Sequence, residues 1–401
     1  MRFVLIHNLA KVSKTLLLVQ NKLLFLCNCY LYAQFFSLEY MNLRLKHIAI
    51  ATAALFCACS PDSSREENPV TMDRTFFAKG VDISWATQME ADGMKFYGSD
   101  GQQRECTAVM KEAGADAVRL RVWVNPEGGW CGKEDVLEKA KRAQTLGMKI
   151  MIDFHYSDTW ADPGNQKTPQ AWAGYDVSKL VEAVEKHTKD ILNTLKSNNI
   201  SVEWVQVGNE VNSGMLHPLG NIGKPEHIPN FASFVNAGSK AVKEVYADAK
   251  VILHRSNGYE SDGFAWFLNV AKAQNINYDM IGMSLYPSWW ENDRYTPWQN
   301  IVESCLTNIK SFAQTYGKPV MLCEFGMPVS EPETAAEALQ YILDKAKNIK
   351  ELHGIFYWEP EVYGGWKPSY YDSLGWGPYE MGAFKNGRPT AALDPFKQTI
   401  Q

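Results

Sequence analysis

The feature that most constrains the fold is an alternation, repeated eight times, between short apolar runs and amphipathic helical stretches. The runs are rich in β-branched and aromatic residues, and the segments between them carry apolar residues at helical spacing. Their bounds are 80–86, 117–124, 149–157, 204–211, 250–258, 280–288, 319–328 and 353–361. Eight strand–helix pairs predict an α/β fold in which the region 75–401 forms a single (β/α)8 TIM barrel.

An open, doubly wound sheet is the alternative architecture for alternating strands and helices. Such a sheet usually carries a glycine-rich phosphate-binding loop after its first strand, and the sequence has none after the run 80–86. Ser178 is interpreted as the N-cap of the helix that follows it. Gly147 and Gly317 are interpreted as the residues that end two other helices.

A segment of signal-peptide type begins at Met41. Two basic residues come first, an apolar run follows, and the small residue Ala58 precedes Cys59. The apolar run is too short to span a bilayer, and this order resembles a bacterial lipoprotein signal. Residues 41–59 are therefore interpreted as the signal, with Cys59 as the lipidated residue, and residues 60–74 as a polar tether.

Residues 1–40 contain apolar stretches interrupted by polar side chains. We interpret them as a mis-assigned segment upstream of a true start at Met41. A transmembrane anchor within 1–40 is the alternative. On the first interpretation the protein is exported, either as a cell-envelope lipoprotein or in secreted form, and its only membrane contact is the lipid on Cys59.

Charge and cysteine content exclude several classes of function. The net charge of −5 leaves no basic surface for a nucleic-acid partner. None of the eight cysteines has the spacing of a zinc site. An exported protein can pair Cys106 with Cys131, and this possibility stays open at the level of sequence.

Two carboxylates end strands that lie far apart in the chain. Glu210 closes the fourth run, and Glu324 lies near the end of the seventh. A single glutamate at such a position is usually solvated or salt-bridged. In a barrel, however, the C-terminal ends of all strands meet at one mouth, so both side chains point into the same pocket. Two facing carboxylates perform glycoside hydrolysis, one as acid and the other as nucleophile or base.

Longer motifs make the comparison specific. They are RLRVWVNP (119–126), DFHYSDTWADPGNQKTPQAW (153–172), VGNEVNSGMLHPLG (207–220), MSLYPSWW (283–290) and FYWEPE (356–361). With GNEV in the fourth run and CEFG in the seventh, the sequence resembles clan A glycoside hydrolases. Within that clan it resembles family 53, the endo-β-1,4-galactanases, from Gly80 to about Phe396.

The resemblance implies a retaining hydrolysis of β-1,4-galactan or type I arabinogalactan by two glutamates. It assigns Glu210 as general acid/base and Glu324 as nucleophile. Asn209 is expected to bind the 2-hydroxyl of the sugar in subsite −1, where hydrogen bonds strengthen in the transition state. Arg119 is expected beside the nucleophile, with pairing to a neighbouring acid as its alternative. Tyr286 is expected to donate its hydroxyl to Glu324.

Further residues receive roles from the same resemblance. His155 lies at the end of the third run and Asp158 directly after it, and both are expected to hydrogen-bond substrate. His254 has a weaker case. Trp358 is expected to form the floor of subsite −1, where its ring stacks on the apolar face of galactose.

Arg121 is expected to be structural. Trp366 and Trp376 are placed only in an aromatic loop near the mouth. Some bacterial galactanases carry a calcium site after the seventh strand, but here the segment 326–339 enters a helix quickly and has few oxygen ligands. We therefore expect no metal and no cofactor, a monomer, and a polysaccharide as the partner.

Two rival functions stay open. One is another clan A β-glycanase, such as a mannanase or glucanase, which the motif 153–172 disfavours. The other is a non-catalytic, glycan-binding surface lipoprotein, which the presence of both glutamates and of Asn209 disfavours. Transglycosylation would use the same residues.

Overall fold

The computed structural model describes residues 72, 74–288, 296–374, 377 and 380–400. Its centre is a closed barrel of eight parallel strands, each hydrogen-bonded to its sequence neighbours, with the first strand paired to the last. The predicted (β/α)8 barrel is confirmed. The strands are β1 (Ala78–Asp82), β2 (Ala117–Val122), β3 (Lys149–Phe154), β4 (Trp204–Val207), β5 (Lys250–Arg255), β6 (Met280–Leu285), β7 (Val320–Phe325) and β8 (Leu352–Tyr357).

Helices connect successive strands. Two short helices lie between β1 and β2, and one long helix follows each of the strands β2 to β7. They are α1 (Ala86–Ala91), α2 (Cys106–Glu112), α3 (Lys133–Thr145), α4 (Val177–Ser197), α5 (Ile228–Val245), α6 (Ser261–Ala273), α7 (Trp298–Tyr316) and α8 (Pro332–Ala346). After β8 come a single helical turn, α9 (Tyr371–Leu374), and a final 3₁₀ segment, Ala391–Lys397.

Two small antiparallel ribbons lie outside the barrel sheet. Phe96–Tyr97 pairs with Gln103–Arg104 between α1 and α2, and Phe384–Lys385 pairs with Arg388–Pro389 after α9. Phe96 and Phe384 contact each other edge to face, with 5.8 Å between ring centroids. The two ribbons are therefore held together by an aromatic contact.

Most predicted runs extend beyond the strands that form. The clearest case is the run 204–211, because β4 ends at Val207. Gly208 and Glu210 have positive φ angles of 92° and 43°, which a strand does not contain. The prediction that Glu210 closes the strand is therefore wrong by three residues, and this side chain lies on a turn after β4.

The predicted helix ends are right at the glycines and wrong at one N-cap. Gly147 and Gly317 have φ angles of 66° and 63° directly after their helices, where a residue without Cβ costs least. Helix α4 is capped by Asp176, whose carboxylate accepts a hydrogen bond from the Lys179 amide. Ser178 lies inside the first turn instead, because Asp176 occupies the extended position that caps.

The barrel interior changes from apolar to polar along the strands. The apolar interior residues are Ala78, Ala117, Trp204, Met280 and Met321 near the strand starts, and Met151, Ile252, Cys323 and Phe356 further along their strands. Towards the strand ends, the buried polar residues are Asp82, Arg119, Asp153, Gln206, His254, Ser284 and Glu324. The apolar floor therefore supports a dry polar layer directly under the mouth.

A register shift in β7 aims Glu324 into that layer. Met283 pairs with Leu322, whereas the next residue of β6, Ser284, pairs with Glu324. One step along β6 thus spans two residues of β7, which is the pattern of a β-bulge. Cys323 lies in the apolar interior floor, and Glu324 reaches the interior arginine Arg119. Consecutive strand residues normally face opposite sides, so the bulge is what lets both face inward.

The four cysteines of the described barrel are buried free thiols. The disulfide between Cys106 and Cys131 that the sequence left open is not formed. No helix within the described ranges is long and apolar enough to cross a membrane. Residues 1–40, the predicted signal 41–59 with Cys59, and nearly all of the predicted tether 60–74 lie outside the described residues.

Candidate active site

A cavity of about 660 Å³ opens at the C-terminal ends of the strands. Five of the eight predicted site residues line it, namely Asn209, Glu210, Tyr286, Glu324 and Trp358. The other lining residues are Trp160, Ala161, Asp162, Pro163, Ser256, Asn257, Tyr371, Gly377, Glu380 and Met381. The lining residues come from the segments after β3, β4, β5, β6 and β8 and, for Glu324, from the end of β7, as expected for a site at a barrel mouth.

The two glutamates face each other across this cavity. One carboxylate oxygen of Glu210 lies within 4.8 Å of one carboxylate oxygen of Glu324. Their residues are only 8% and 4% exposed. The Ser284 hydroxyl lies between them, 2.6 Å from Glu210 Oε1 and 3.4 Å from Glu324 Oε2.

Glu324 is held by a cation on one side and a hydroxyl on the other. Arg119 Nη2 donates to Glu324 Oε1 at 2.8 Å, and the Tyr286 hydroxyl donates to Oε2 at 2.7 Å. Arg119 also forms ion pairs with Asp82 at 2.6 Å and with Asp153 at 2.9 Å. Both interpretations of Arg119 from the sequence therefore hold at once. It does not line the cavity, so it acts on Glu324 from behind.

The surroundings separate the two carboxyl groups electrostatically. Burial raises the pKa of Glu210 well above its usual range, and the nearby charge of Glu324 raises it further. Burial also raises the pKa of Glu324, but Arg119 and the Tyr286 hydroxyl counteract it. The surroundings therefore favour an ionised Glu324 beside a protonated Glu210.

Asn209 connects this pair to the loop after β3. Its Oδ1 accepts from Arg119 Nη2 at 2.7 Å, and its Nδ2 donates to the carbonyl oxygen of Ala161 at 2.8 Å. These two bonds fix the orientation of the amide. Ala161 is the one residue in the described part of the chain that accepts from Nδ2, so the second amide hydrogen is available to a ligand in the cavity.

The turn that carries Glu210 is supported by a residue for which the sequence suggested no role. Gln166 Nε2 donates to the carbonyl oxygens of Asn209 at 2.8 Å and of Glu210 at 3.3 Å. Glu210 has a φ of 43°, a conformation that costs on the order of 1–3 kcal/mol for a residue with a side chain. Gln166 therefore stabilises a strained turn at the site.

His155 and Asp158 lie in the base of the loop after β3, and neither lines the cavity. His155 Nδ1 accepts from the Ala161 amide at 2.9 Å and from Trp123 Nε1 at 3.3 Å, so its Nε2 donates to Asp153 at 2.9 Å. Burial lowers the pKa of His155, which keeps the ring neutral. Its ring nitrogens are thus occupied by protein groups.

Asp158 connects the loop after β2 to the loop after β3. Its Oδ1 accepts from the Asn125 amide at 3.1 Å, and its Oδ2 accepts from the Gln170 amide at 2.7 Å. The structure places it as a brace between the loops after β2 and β3. This position explains an aspartate at 158 without a contact to substrate.

Arg121 lies at the centre of a tryptophan cluster. Its guanidinium is 4.3 Å from the ring centroid of Trp85, 4.7 Å from that of Trp123 and 3.9 Å from that of Trp160. It also pairs with the buried carboxylate of Glu359. Trp160 lines the cavity, so Arg121 fixes one cavity wall from behind, in agreement with a structural role.

The aromatic residues after β8 divide into two groups. Trp358 lines the cavity, and its ring packs against Trp160 at 6.0 Å and against Tyr286 at 5.8 Å. Trp366 packs edge to face on Trp85 at 5.7 Å and is absent from the cavity lining. Trp376, the other tryptophan of the predicted aromatic loop, lies outside the described residues.

One group of acidic and histidine side chains in the described residues has metal-ligand spacing, namely Glu210, His254 and Glu324. It coincides with the carboxylate pair. Both nitrogens of His254 already contact protein groups, Gln206 and Ser284. The absence of a metal and of a cofactor stays a prediction.

Comparison of the whole chain with models of known protein families gives a match over nearly the entire barrel. The model of glycosyl hydrolase family 53 matches residues 78–396. The chain belongs to that family. The family 53 resemblance in the sequence is thus confirmed, and the protein is a glycoside hydrolase.

Similar proteins of family 53 align with this chain over most of their own length. The arabinogalactan endo-beta-1,4-galactanase A of Emericella nidulans is 34% identical over 72% of this chain and 85% of its own length. The family 53 catalytic domain of Ignisphaera aggregans superposes with a TM-score of 0.69 at 28% identity, over 82% of this chain and 98% of that domain. A structure of a fungal β-1,4-galactanase matches with a TM-score of 0.67 at 27% identity, over 79% of this chain and 98% of that one.

Proposed function

We propose that this family 53 hydrolase cleaves β-1,4-galactosidic bonds within galactan by a retaining double displacement. Glu324 is the nucleophile and Glu210 the general acid/base. The observation that carries the proposal is the approach of the two carboxylates to within 4.8 Å. Retaining enzymes hold their carboxyl groups roughly 5–5.5 Å apart, because one of them attacks the sugar directly, whereas inverting enzymes leave room for water.

In the first step, Glu324 attacks the anomeric carbon as the bond to the leaving oxygen breaks. Glu210 gives its proton to that oxygen, so the shortened galactan chain departs as a neutral alcohol and a glycosyl ester forms on Glu324. Arg119 and Tyr286 support this step because they favour the ionised form of Glu324 before attack.

In the second step, the ionised Glu210 removes a proton from water, and the water oxygen attacks the anomeric carbon. The ester bond to Glu324 breaks, which restores its carboxylate and gives a product of the original β configuration. A sugar hydroxyl in place of water gives transglycosylation by the same proton transfers.

Substrate contacts are assigned by position in the cavity. Asn209 directs its available amide hydrogen to the 2-hydroxyl of the sugar in subsite −1. Trp358 offers a ring face to the apolar side of that galactose. Arg119, His155 and Asp158 contribute as positioning residues, since their polar atoms bind protein groups beneath the cavity.

Galactan is favoured over other β-glycans by the names of the relatives, several of which are arabinogalactan endo-beta-1,4-galactanases. A non-catalytic glycan-binding protein is disfavoured by the site itself. A binding protein has no need to bury two carboxylates beside each other, which is electrostatically costly.

Export and lipidation at Cys59 complete the proposal, and they are supported by the order of basic, apolar and small residues from Met41. The mature enzyme then stands on a polar tether as a monomer outside the cytoplasm. Replacing Cys59 with Ser should move the protein from the membrane fraction to the soluble fraction. Retention of the Cys59→Ser protein in membranes would direct attention to residues 1–40.

The direct test is incubation with linear β-1,4-galactan, mannan, xylan and carboxymethyl cellulose, with the products sized over time. We expect galactan to yield a spread of oligosaccharides from the earliest samples, with little release from the other three. The Glu324→Ala protein is the matched control. Activity should persist in a metal chelator. Comparable turnover of mannan or cellulose would reject galactan as the preferred substrate.

A further inference from the structure

Ser284 has a position that the assigned roles do not explain. It lies on β6, is fully buried, and has no place among the residues predicted from the sequence. Its hydroxyl is close to three site residues, at 2.6 Å from Glu210 Oε1, 2.9 Å from His254 Nε2 and 3.4 Å from Glu324 Oε2. A hydroxyl has one proton to donate, so the surroundings decide which carboxylate receives it.

The hydrogen-bonding groups around His254 favour one direction for the Ser284 hydroxyl. Arg119 Nε donates to Gln206 Oε1 at 2.7 Å, which turns the amide group of Gln206 towards His254 Nδ1, 2.8 Å away. The amide of Glu210 also points at Nδ1, at 3.3 Å. Two N–H groups face Nδ1, against one acceptor, Asn209 Oδ1, at 3.0 Å. Because the donors outnumber the acceptor and Gln206 is the nearest group, we assign Nδ1 as the acceptor and place the ring proton on Nε2. His254 therefore donates to the Ser284 oxygen.

Burial supports the same assignment for the ring. It lowers the pKa of His254 well below its usual value, and the positive charge of Arg119 lowers it further. The ring is neutral, with one proton, and that proton is used on Ser284. The Ser284 hydroxyl is then free to donate its own proton, and Glu210 Oε1 is the nearer acceptor by 0.8 Å (3.4 against 2.6 Å).

We propose that Ser284 is a positioning residue for proton donation by Glu210. Oriented by His254, its hydroxyl donates to Oε1, which leaves Oε2 to carry the transferable proton. The same hydrogen bond strengthens as negative charge develops on Glu210, so it stabilises the transition state of the first step more than the ground state. The inference rests on the proposed function, because it assumes Glu210 is the acid.

The groups that face Glu210 explain why a donor is needed there. Burial, the charge of Glu324 on β7 and that of Asp162 in the loop after β3 all favour the protonated carboxyl. Arg119 on β2 and the Ser284 hydroxyl on β6 favour the ionised one. On β5 the facing residue, His254, is neutral. Without the hydroxyl, Glu210 holds its proton too firmly to be an efficient acid.

The test compares Ser284→Ala with wild type on two substrates. A galacto-oligosaccharide has a poor leaving group that needs the acid, whereas a dinitrophenyl β-galactobioside does not. We expect kcat/KM to fall about 10-fold on the first and to stay within about twofold on the second. The basic limb of the kcat/KM–pH profile on the oligosaccharide should move up by about one pH unit, because losing the donor favours protonated Glu210.

Two further variants keep the result interpretable. Ser239→Ala removes a buried serine hydroxyl on α5 and should change neither substrate selectivity nor the basic limb. Ser284→Cys keeps a weak donor and should fall between wild type and Ser284→Ala. Melting temperatures are measured for all three.

Four outcomes would overturn the inference. Equal losses on both substrates would indicate a structural role. A shift of the acidic limb instead of the basic one would indicate that Ser284 serves Glu324. A wild-type enzyme that cleaves neither substrate would reject the proposed function as well, whereas wild-type turnover with an unmoved basic limb in Ser284→Ala would reject only the role of Ser284.

Discussion

The Tyr286 hydroxyl donates a hydrogen bond of 2.7 Å to Glu324 Oε2. Burial raises the pKa of Tyr286 well above its usual value, and the neighbouring charge of Glu324 adds to the effect, so the hydroxyl stays a donor throughout the working pH range. Since Arg119 binds the other oxygen, Glu324 meets a donor at each of its two oxygens. A nucleophile held at both oxygens is restricted in orientation before substrate arrives.

Replacing Tyr286 with Phe removes one of these donors and little else. Hydrogen bonds to charged groups contribute about 1.5–3 kcal/mol, so we expect kcat/KM on galactan to fall roughly 10- to 100-fold. The pKa of Glu324 should rise, which moves the acidic limb of the pH profile to higher pH. Tyr246→Phe is the matched control, since that hydroxyl binds the carbonyl oxygen of Ile200 away from the site. An unchanged acidic limb in Tyr286→Phe would contradict this account.

Removing Arg119 should lower the free energy of unfolding and raise the pKa of Glu324. Arg119→Met leaves Asp82, Asp153 and Glu324 buried without their cation, a change that costs about 3–5 kcal/mol of unfolding free energy. Arg119 lowers the pKa of Glu324, so its loss moves the acidic limb upward. Denaturant unfolding and a pH–rate profile measure the two effects.

Arg121→Met provides the comparison for Arg119→Met. This substitution leaves the buried carboxylate of Glu359 without its cation, so it should lower the free energy of unfolding to a similar extent. Because Arg121 is surrounded by tryptophans and not by Glu324, the acidic limb should stay in place. A shift of equal size in both variants would show that the limb does not report on Glu324.

Glu210→Ala should separate the two steps of the reaction. Loss of a general acid typically costs about 10²- to 10⁴-fold, and we expect that loss on galactan. On a dinitrophenyl β-galactoside the first step should survive, and the glycosyl ester should accumulate because no base activates water. Azide should then restore turnover and give a β-galactosyl azide. Glu324→Ala should instead give the α-galactosyl azide from the same substrate, because azide fills the space of the missing carboxylate and attacks opposite the leaving group. A β-azide from Glu324→Ala, or an α-azide from Glu210→Ala, would contradict the assigned roles.

The eight strands were predictable because each apolar run is followed by a stretch with apolar residues at helical spacing. Both patterns depend only on residues that are close together in the sequence. The strand ends were less predictable. β4 ends at Val207 because Gly208 and Glu210 adopt positive φ angles. From the sequence alone, Val211 favours a longer strand, since the turn before it leaves no clear pattern. Ser178 and Asp176 are both good N-caps, and only the backbone angle at Asp176 distinguishes them.

At the site, motifs predicted five of the residues that line the cavity and also Arg119 behind it, whereas they gave no role to Ser284 or Gln166. Ser284 is a small residue within an apolar strand, and nothing in its neighbours indicates contact with Glu210, 74 residues away. The inward direction of Glu324 depends on a register shift between strands, which the sequence does not show. His155 carries no local sign that both its nitrogens are used by protein groups.

Glu361 gives a prediction about stability and pH. It is fully buried; its Oε1 accepts from the Trp85 amide at 3.2 Å, and its Oε2 has no partner among the described residues. Burial raises its pKa well above the ordinary 4.5, and the nearby charge of Glu359 adds to this. The folded state therefore holds a proton that the unfolded state loses as pH rises above about 4.5.

The stability contributed by this proton is present below the unfolded pKa and is lost as pH rises towards the folded pKa. Glu361→Gln, which cannot ionise, should thus gain melting temperature relative to wild type as pH increases from acidic to neutral. Asp394→Asn, at an exposed carboxylate, is the control and should show no such trend. A difference between Glu361→Gln and wild type that is constant with pH would contradict the assignment.

The central claim is that Glu324 attacks the sugar and that Glu210 acts as the general acid and base. Trapping the glycosyl ester tests this claim most directly. Wild-type enzyme is incubated with dinitrophenyl 2-deoxy-2-fluoro-β-galactobioside, in which fluorine slows both steps and the good leaving group favours the first. Proteolysis and mass mapping then locate the label. The account predicts one equivalent of disaccharide on the peptide that contains Glu324, at the side chain of that residue. A label on Glu210, or a wild-type enzyme whose first product from galactan has the inverted configuration, would contradict it.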